Sequence, residues 1–142
     1  MTHLYYVKVS YHYYTLKVMI DTGANISVIS LAMLNLLGLK PNRKAGVVYG
    51  VGGKAQLIGY KQCNMCIVGP KLVNVEVNLQ VLQSDHFSVI FGLDFLEKYK
   101  CIVNTNTKKL YLGHHIIPFM TLKELALYKS PIDKRQLKPI KK

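Results

Sequence analysis

The chain of 142 residues contains no tryptophan, only three cysteines and only seven acidic residues. Three cysteines cannot all pair within one chain, which favours a reducing compartment over a disulfide-stabilised secreted domain. No apolar run reaches the roughly 18 residues of a membrane-spanning helix. Residues 1–8 do not form a basic segment that leads into a long apolar core, so we expect no secretory signal. These absences predict a cytoplasmic protein that has no contact with a membrane.

The shortage of acidic residues gives the chain a formal charge of +12, because it carries 19 lysines and arginines. Much of this excess lies in residues 121–142, which contain seven basic and two acidic residues. We expect a folded domain over 1–120, then a short helix over 121–129 and a basic tail. The tail either contacts nucleic acid without sequence specificity or is a solvated linker, since no nucleic-acid recognition motif accompanies it.

The cysteines and histidines do not show the spacing of a metal site. Cys63 and Cys66 form a C-x-x-C, but a zinc site needs two more ligands and no second such pair exists. Small side chains on a strand are the simpler explanation. Nor is there a G-x-S-x-G motif for a serine nucleophile. We therefore expect no metal and no cofactor.

Most of the chain shows the pattern of short β-strands, rich in valine, isoleucine and tyrosine and separated by glycine and asparagine turns. Residues 31–37 and 92–99 are the exceptions before residue 121, and each has the length of one or two helical turns. Many short strands with little helix predict a mainly β barrel or sandwich in one domain. Strands are expected over residues 3–10, 13–20, 26–30, 61–68, 72–82 and 87–91, with a glycine-dense hairpin over 45–60 and a second hairpin formed by 101–103 and 109–112.

Three motifs stand in a fixed order along these strands. The first is Asp21-Thr22-Gly23-Ala24 after an apolar strand, the second is the glycine-rich hairpin around residues 46–53, and the third is the apolar run 89–96, interrupted by Gly92. Alone, a D-T-G triplet is a turn in which the aspartate caps backbone amides, and a glycine hairpin is an ordinary turn. The ordered set is more informative than either motif alone.

This set resembles the retropepsin-like aspartic proteases over about residues 4–112, and it is most similar to the DNA-damage-inducible ubiquitin-shuttle proteins and the retrotransposon proteases. The resemblance implies a closed β-barrel with one short helix after Gly92 and an active site shared by two subunits. It also implies a catalytic group of Asp21, Thr22 and Gly23. Substrate-binding positions are implied at Ala24, Asn25, Gly50, Val51, Gly52 and Gly53, the last four as a flap over the substrate.

The resemblance has one departure and leaves the origin of the chain open. Many retroviral enzymes have an acid at the position of Asn25 and an arginine at that of Leu93, and here both charges are replaced together, which avoids a buried unpaired charge. Retropepsins also suggest a viral or retroelement particle as an alternative location, and polyprotein processing as a role. Residues 122–127 could dock as a helix on the partner subunit instead of lying outside the catalytic unit.

Metal-free peptide hydrolysis needs two close carboxylates that share one proton. The chain has a single D-[ST]-G, so the second carboxylate is expected from Asp21 of a second copy. The expected function is a homodimeric aspartic endopeptidase that cleaves extended polypeptides. The alternative is a catalytically weak module of the same fold that serves dimerisation or protein binding.

Overall fold

A computed structural model describes residues 5–12, 14–50, 53–84 and 86–127 of the chain. Within them lie ten strands and three short helices. In chain order these are β1 Tyr5–Tyr11, β2 Tyr14–Ile20, β3 Val28–Ser30, α1 Leu31–Leu36, β4 Asn42–Gly50, β5 Gly53–Val68, β6 Leu72–Gln83, β7 Val89–Phe91, α2 Leu93–Lys98, β8 Ile102–Asn104, β9 Lys109–Leu112, β10 His115–Pro118 and α3 Leu122–Leu125. No helix within the described ranges is long and apolar enough to span a membrane.

Six strands form a closed barrel. The larger sheet has the order β1-β2-β7-β3-β6-β5-β4, and β1 also pairs with β5 through Val9–Ile67 and Ser10–Cys66. That pairing closes the ring and leaves β4 as an additional edge strand on β5. Strands β8 to β10 form a separate three-stranded sheet, whose edge strands are β10 and β8. The expected mainly β closed barrel is confirmed.

The three short helices agree with the expectation, whereas the hairpin strands differ from it in their bounds. Helices were expected over residues 31–37, 92–99 and 121–129, and α1, α2 and α3 lie within these ranges, so the helix after Gly92 that the resemblance implies is α2. A hairpin was expected over 45–60 and a separate strand over 61–68. The hairpin is present as β4 and β5, but β5 continues past a bulge near Gly59 and through 61–68 as one strand of 16 residues. A Cβ atom on Gly59 would lie 2.0 Å from the Asn42 carbonyl oxygen, so glycine lets β4 approach closely here.

Strand β10 was not predicted, because histidine and proline stand at its ends. Its register is nevertheless well defined, since His115 to Pro118 pair with Leu112 to Lys109. Ile117 is fully buried and packs in the main core with Leu110 of β9. The core of the barrel thus extends under the three-stranded sheet and joins both sheets into one packed unit.

The segment after β10 follows the open edge of β1. The Met120 amide donates to the Tyr6 carbonyl at 2.8 Å, and Phe119 packs on Tyr5 with ring centroids 4.9 Å apart. Helix α3 then begins with a capping box between Thr121 and Glu124. It is shorter than the expected 121–129, of which 128–129 lie outside the described residues.

Helix α3 contacts its own subunit. Glu124 forms an ion pair with Lys8 of β1, and hydrogen bonding to Lys8 lowers the pKa of the Glu124 carboxyl. No residue of α3 is buried, and Leu122 is 79% exposed. An exposed ion pair of this kind contributes at most about 1 kcal/mol. The boundary at residue 120 stays a prediction.

We predict that a chain ending at Met120 loses less than about 2 kcal/mol of unfolding free energy, because it loses mainly the Lys8–Glu124 pair. A chain ending at Pro118 is the matched control, and it should lose at least about 3 kcal/mol more, since loss of a buried phenylalanine costs roughly 3–5 kcal/mol. Urea unfolding of both chains measures the difference. Equal and large losses in both would place the domain boundary beyond residue 120.

Candidate active site

The D-T-G turn begins where β2 leaves the barrel. The Asp21 amide donates to the Phe91 carbonyl at 3.0 Å, which fixes the start of the turn on β7. The Gly23 amide donates to Asp21 Oδ1 at 2.9 Å, and the Ala24 amide donates to the Asp21 carbonyl at 3.2 Å. Asp21 is half-buried, while Thr22 and Gly23 are exposed. The Asp21 carboxylate is therefore held by its own turn, next to two exposed residues.

The Gly92 turn packs directly beneath this loop. The Leu93 amide donates to the Ala24 carbonyl at 2.7 Å, and the Asp94 amide donates to the Asn25 carbonyl at 3.2 Å. A Cβ atom on Gly92 would lie 2.6 Å from the Ala24 carbonyl oxygen and equally close to that of Ile26. No larger residue fits without moving the loop. The first and third sequence motifs are thus brought together as one unit.

Ser27 and Asp94 hold this unit together through their side chains. The Ser27 hydroxyl donates to Asp94 Oδ1 at 2.6 Å, and the Ser27 amide donates to Asp94 Oδ2 at 3.0 Å. The same hydroxyl accepts from the Gly92 amide at 3.0 Å. Asp94 Oδ1 also accepts from the Phe95 amide at 2.7 Å, at the start of α2. We call these contacts the Ser27–Asp94 clamp.

Sequence reasoning missed both residues of the clamp. Asp94 was part of the third motif, residues 89–96, with no role predicted for it, and Ser27 was read as part of a strand. A signal was present, since an aspartate in the first turn of a helix after glycine is a typical capping residue. Its partner could not be deduced, because the two residues are 67 positions apart in sequence.

The glycine-rich hairpin is formed by β4 and β5. Gly50 pairs with Gly53, which has a φ of +104° that favours glycine. Val51 and Gly52, the other two expected flap residues, lie outside the described residues. The flap role of all four positions stays a prediction.

One face of the hairpin belongs to a small apolar cluster. Val48 and Ala55, which pair with each other, pack against Val28, Leu57 and Leu82. The same cluster includes Ile26, which follows the D-T-G loop, and Ile90, which precedes Phe91. Apolar side chains therefore run continuously from the hairpin to the loop that follows Asp21 and to β7.

An open concavity of about 570 Å³ lies on the Thr22 side of the loop. Leu93, Leu96 and Val103 contribute its apolar lining, and Glu97 and Lys100 contribute charges of opposite sign. Leu93 also packs against the main core, where an arginine would need a partner. Asn25 is exposed and contributes its carbonyl to the loop. The replacement of both charges is thus consistent with the packing.

The other reactive groups in the described ranges have structural environments. Burial raises the pKa of the Cys101 thiol to about 11 and also raises that of Cys63, so both thiols stay protonated at neutral pH. Among the carboxylates, Asp94 is bound by Ser27, Glu76 by Gln62 and Glu124 by Lys8. No group of three metal-ligating side chains occurs in the described part of the chain.

The sequence profile of the aspartyl protease family matches residues 1–104, and the chain belongs to this family. Among solved structures, the chain is similar to the retroviral protease-like domain of Ddi1 from Leishmania major, with a TM-score of 0.70 at 19% identity. The alignment covers 85% of this chain and 97% of that domain. That likeness shows the fold.

Several curated proteins are related to this chain in sequence, but they are much longer. DNA damage-inducible protein 1 of Yarrowia lipolytica is 28% identical over 127 residues, which is 87% of this chain and 31% of the relative. Protein DDI1 homolog 1 of Caenorhabditis elegans is 27% identical over 124 residues, with 84% and 31% covered. The chain thus spans about a third of the length of these relatives.

We predict that Ser27→Ala lowers kcat at least about tenfold, because it removes the bond to Asp94 and leaves the Gly92 amide without its acceptor, which loosens the catalytic loop. Ser30→Ala is the matched control. It removes an equally buried hydroxyl, which accepts from the Met33 amide at 3.1 Å and caps α1. Both variants should lose about 1–2 kcal/mol of stability. Peptide cleavage assays measure kcat, and an equal fall in both variants would contradict the positioning role.

Proposed function

We propose that this chain is an aspartic endopeptidase that acts as a homodimer, with one Asp21 from each subunit in a shared site. The observation that carries the proposal is the Asp21 turn, which is held by its own amides, by β7 and by the Ser27–Asp94 clamp. Such a turn presents one carboxylate in a fixed orientation to an open surface. Preorganised groups of this kind are what metal-free hydrolysis needs.

Each subunit supplies one of the two carboxylates that the reaction requires. Two carboxylates about 3 Å apart cannot both ionise, so they hold one proton between them. The ionised carboxylate takes a proton from water while the other protonates the peptide carbonyl oxygen. The carboxyl that took the water proton then gives it to the nitrogen of the tetrahedral intermediate, while the carboxylate that had protonated the carbonyl oxygen takes a proton back from a hydroxyl. The C–N bond breaks, a carboxylic acid and an amine are released, and the pair again holds one proton. Among the described carboxylates, Asp94 is bound by Ser27, and Glu97, which lines the concavity on the Thr22 side, does not stand in a D-[ST]-G turn. This supports a second subunit as the source of the second carboxylate.

The Thr22 side of the loop offers a surface for that second subunit. The concavity lined by Leu93, Leu96 and Val103 adjoins β8, an edge strand whose Ile102 is 63% exposed. Glu97 and Lys100 give this surface charges of both signs, which suits a self-complementary contact across a two-fold axis. An interface here would bring the two D-T-G turns face to face.

The apolar cluster beside the hairpin supports an extended polypeptide as substrate. Val48 and Ala55 of the hairpin and Ile26 and Ile90 near the Asp21 unit favour apolar side chains close to the scissile bond. The family relationship supports the same reaction. The long relatives do not specify a substrate for this chain, so the choice of polypeptide rests on the chemistry of the cluster.

We predict that an Asp21→Asn protein inhibits the wild type when the two are mixed and allowed to exchange subunits. A mixed dimer has one carboxylate and cannot share a proton as the pair does, so total activity should fall as the inactive protein is added. Activity against an unfolded polypeptide, measured at fixed wild-type concentration, tests this. Lys71→Gln protein, altered at an exposed turn, is the control and should add activity.

Two outcomes would contradict the proposal. Wild-type activity that does not change as Asp21→Asn protein is added, although exchange is shown by labelled subunits, would mean that one subunit is sufficient. Binding of polypeptide without any cleavage by the wild type would favour the alternative, a module for dimerisation or protein binding.

A further inference from the structure

We propose that the β4–β5 hairpin selects polypeptides with acidic residues on either side of the scissile bond. This inference rests on the proposed function and specifies its substrate class. Its basis is a charge pattern, since the 54 residues between Asp21 and Glu76 contain six basic residues and no acidic one. The six are Lys40, Arg43, Lys44, Lys54, Lys61 and Lys71.

Three of these basic residues lie on the hairpin and form no ion pair with a described acidic residue. Arg43, Lys44 and Lys54 lie on β4 and β5 and are exposed. Among the residues that the structure describes, none of the three forms an ion pair, whereas Lys8 and Lys98 each contact a glutamate. Unpaired lysines and arginines of one sign create a positive potential around the hairpin that attracts acidic groups.

The two faces of the hairpin differ in a way that fits a peptide binding nearby. Val48 and Ala55 pack inward on the apolar cluster, while Val47 and Tyr49 lie on the opposite face and are 51% and 78% exposed. Tyr49 pairs with Lys54, so an aromatic ring and an ammonium group are neighbours on this outer face. The surface therefore offers both charge and contact area.

The apolar cluster links the hairpin to the reacting centre. Ile26 of this cluster lies in the loop that follows the Asp21 turn and Ile90 lies on β7, so apolar substrate side chains near the scissile bond meet this cluster. Residues further along an extended peptide then leave the cleft beside the arms of the hairpin. A homodimer would place two such hairpins on one cleft and double the positive charge there.

Nucleic acid is the alternative ligand for these basic residues, and the geometry of the hairpin disfavours it. The hairpin combines exposed basic residues with an inner apolar face that continues to the Asp21 unit, and an extended peptide with an apolar centre and acidic flanks matches both features. A phosphate backbone would match only the charge. Exposed charge pairs are worth about 1.5- to 5-fold each, so several flanking residues are needed for a clear preference.

The test uses three peptides with one apolar core and flanks of glutamate, glutamine or lysine. We expect kcat/KM to fall in that order, with at least about a tenfold span at low salt. The span should shrink at 1 M salt, where the screening length is about 3 Å. A double variant, Lys44→Glu with Lys54→Glu, should reverse the order, so that the lysine peptide has the highest kcat/KM and the glutamate peptide the lowest.

A matched control changes the same charge elsewhere. Lys71 lies at the far end of β5 from the hairpin tip, and Lys123 lies on α3. The double variant Lys71→Glu with Lys123→Glu should keep the wild-type order of the three peptides. A reversal in this control would assign the preference to net charge and would overturn the role of the hairpin.

Binding of the same peptides to Asp21→Asn protein separates this inference from the proposed function. Acidic preference in binding without cleavage by the wild type would support the hairpin role and contradict the protease proposal. Equal affinities and equal kcat/KM for all three peptides would overturn the hairpin role alone. The hairpin role would also be overturned if the Lys44→Glu, Lys54→Glu variant bound a single-stranded oligonucleotide more weakly than the wild type but kept the wild-type order of the three peptides.

Discussion

The arrangement of the whole site depends on the Ser27–Asp94 clamp. It joins the loop that follows β2 to the turn that follows β7, and it does so with one buried hydroxyl and one carboxylate. Without it, the Asp21 turn would be held only by backbone contacts to Phe91, Leu93 and Asp94. A Cβ atom at position 92 would clash with the carbonyl oxygens of Ala24 and Ile26. Glycine therefore lets the two loops approach closely enough for Ser27 and Asp94 to form their hydrogen bonds. The glycine turn at position 92 and the long-range contact between Ser27 and Asp94 therefore act together to fix the Asp21 loop.

The closed barrel gives this clamp a rigid support. Pairing of β1 with β5 completes the ring, so β2 and β7 cannot separate without breaking core contacts. Asp21 lies at the end of one of these strands and Phe91 at the end of the other. By contrast, β4 extends beyond the ring as an edge strand and carries exposed basic and aromatic residues. The fold thus separates a fixed Asp21 loop from an accessible hairpin.

The sequence predicted the parts of the molecule that are encoded in short segments. The D-T-G turn, the glycine hairpin and the Gly92 turn each need particular backbone conformations or close approach, and such needs leave a local signature. Strand β10 has no such signature, because Ile117 is buried only through its pairing with β9. The same holds for the Ser27–Asp94 contact, which exists only once the barrel has formed. Long-range contacts of this kind cannot be deduced from one sequence.

The central claim is that two copies of Asp21 form one active site. Specific activity measured during serial dilution, beside the dimer fraction measured by sedimentation under the same conditions, tests it most directly. We expect specific activity to fall in proportion to the dimer fraction and to return on reconcentration. Specific activity that stays constant while the protein dissociates into monomers would contradict the claim.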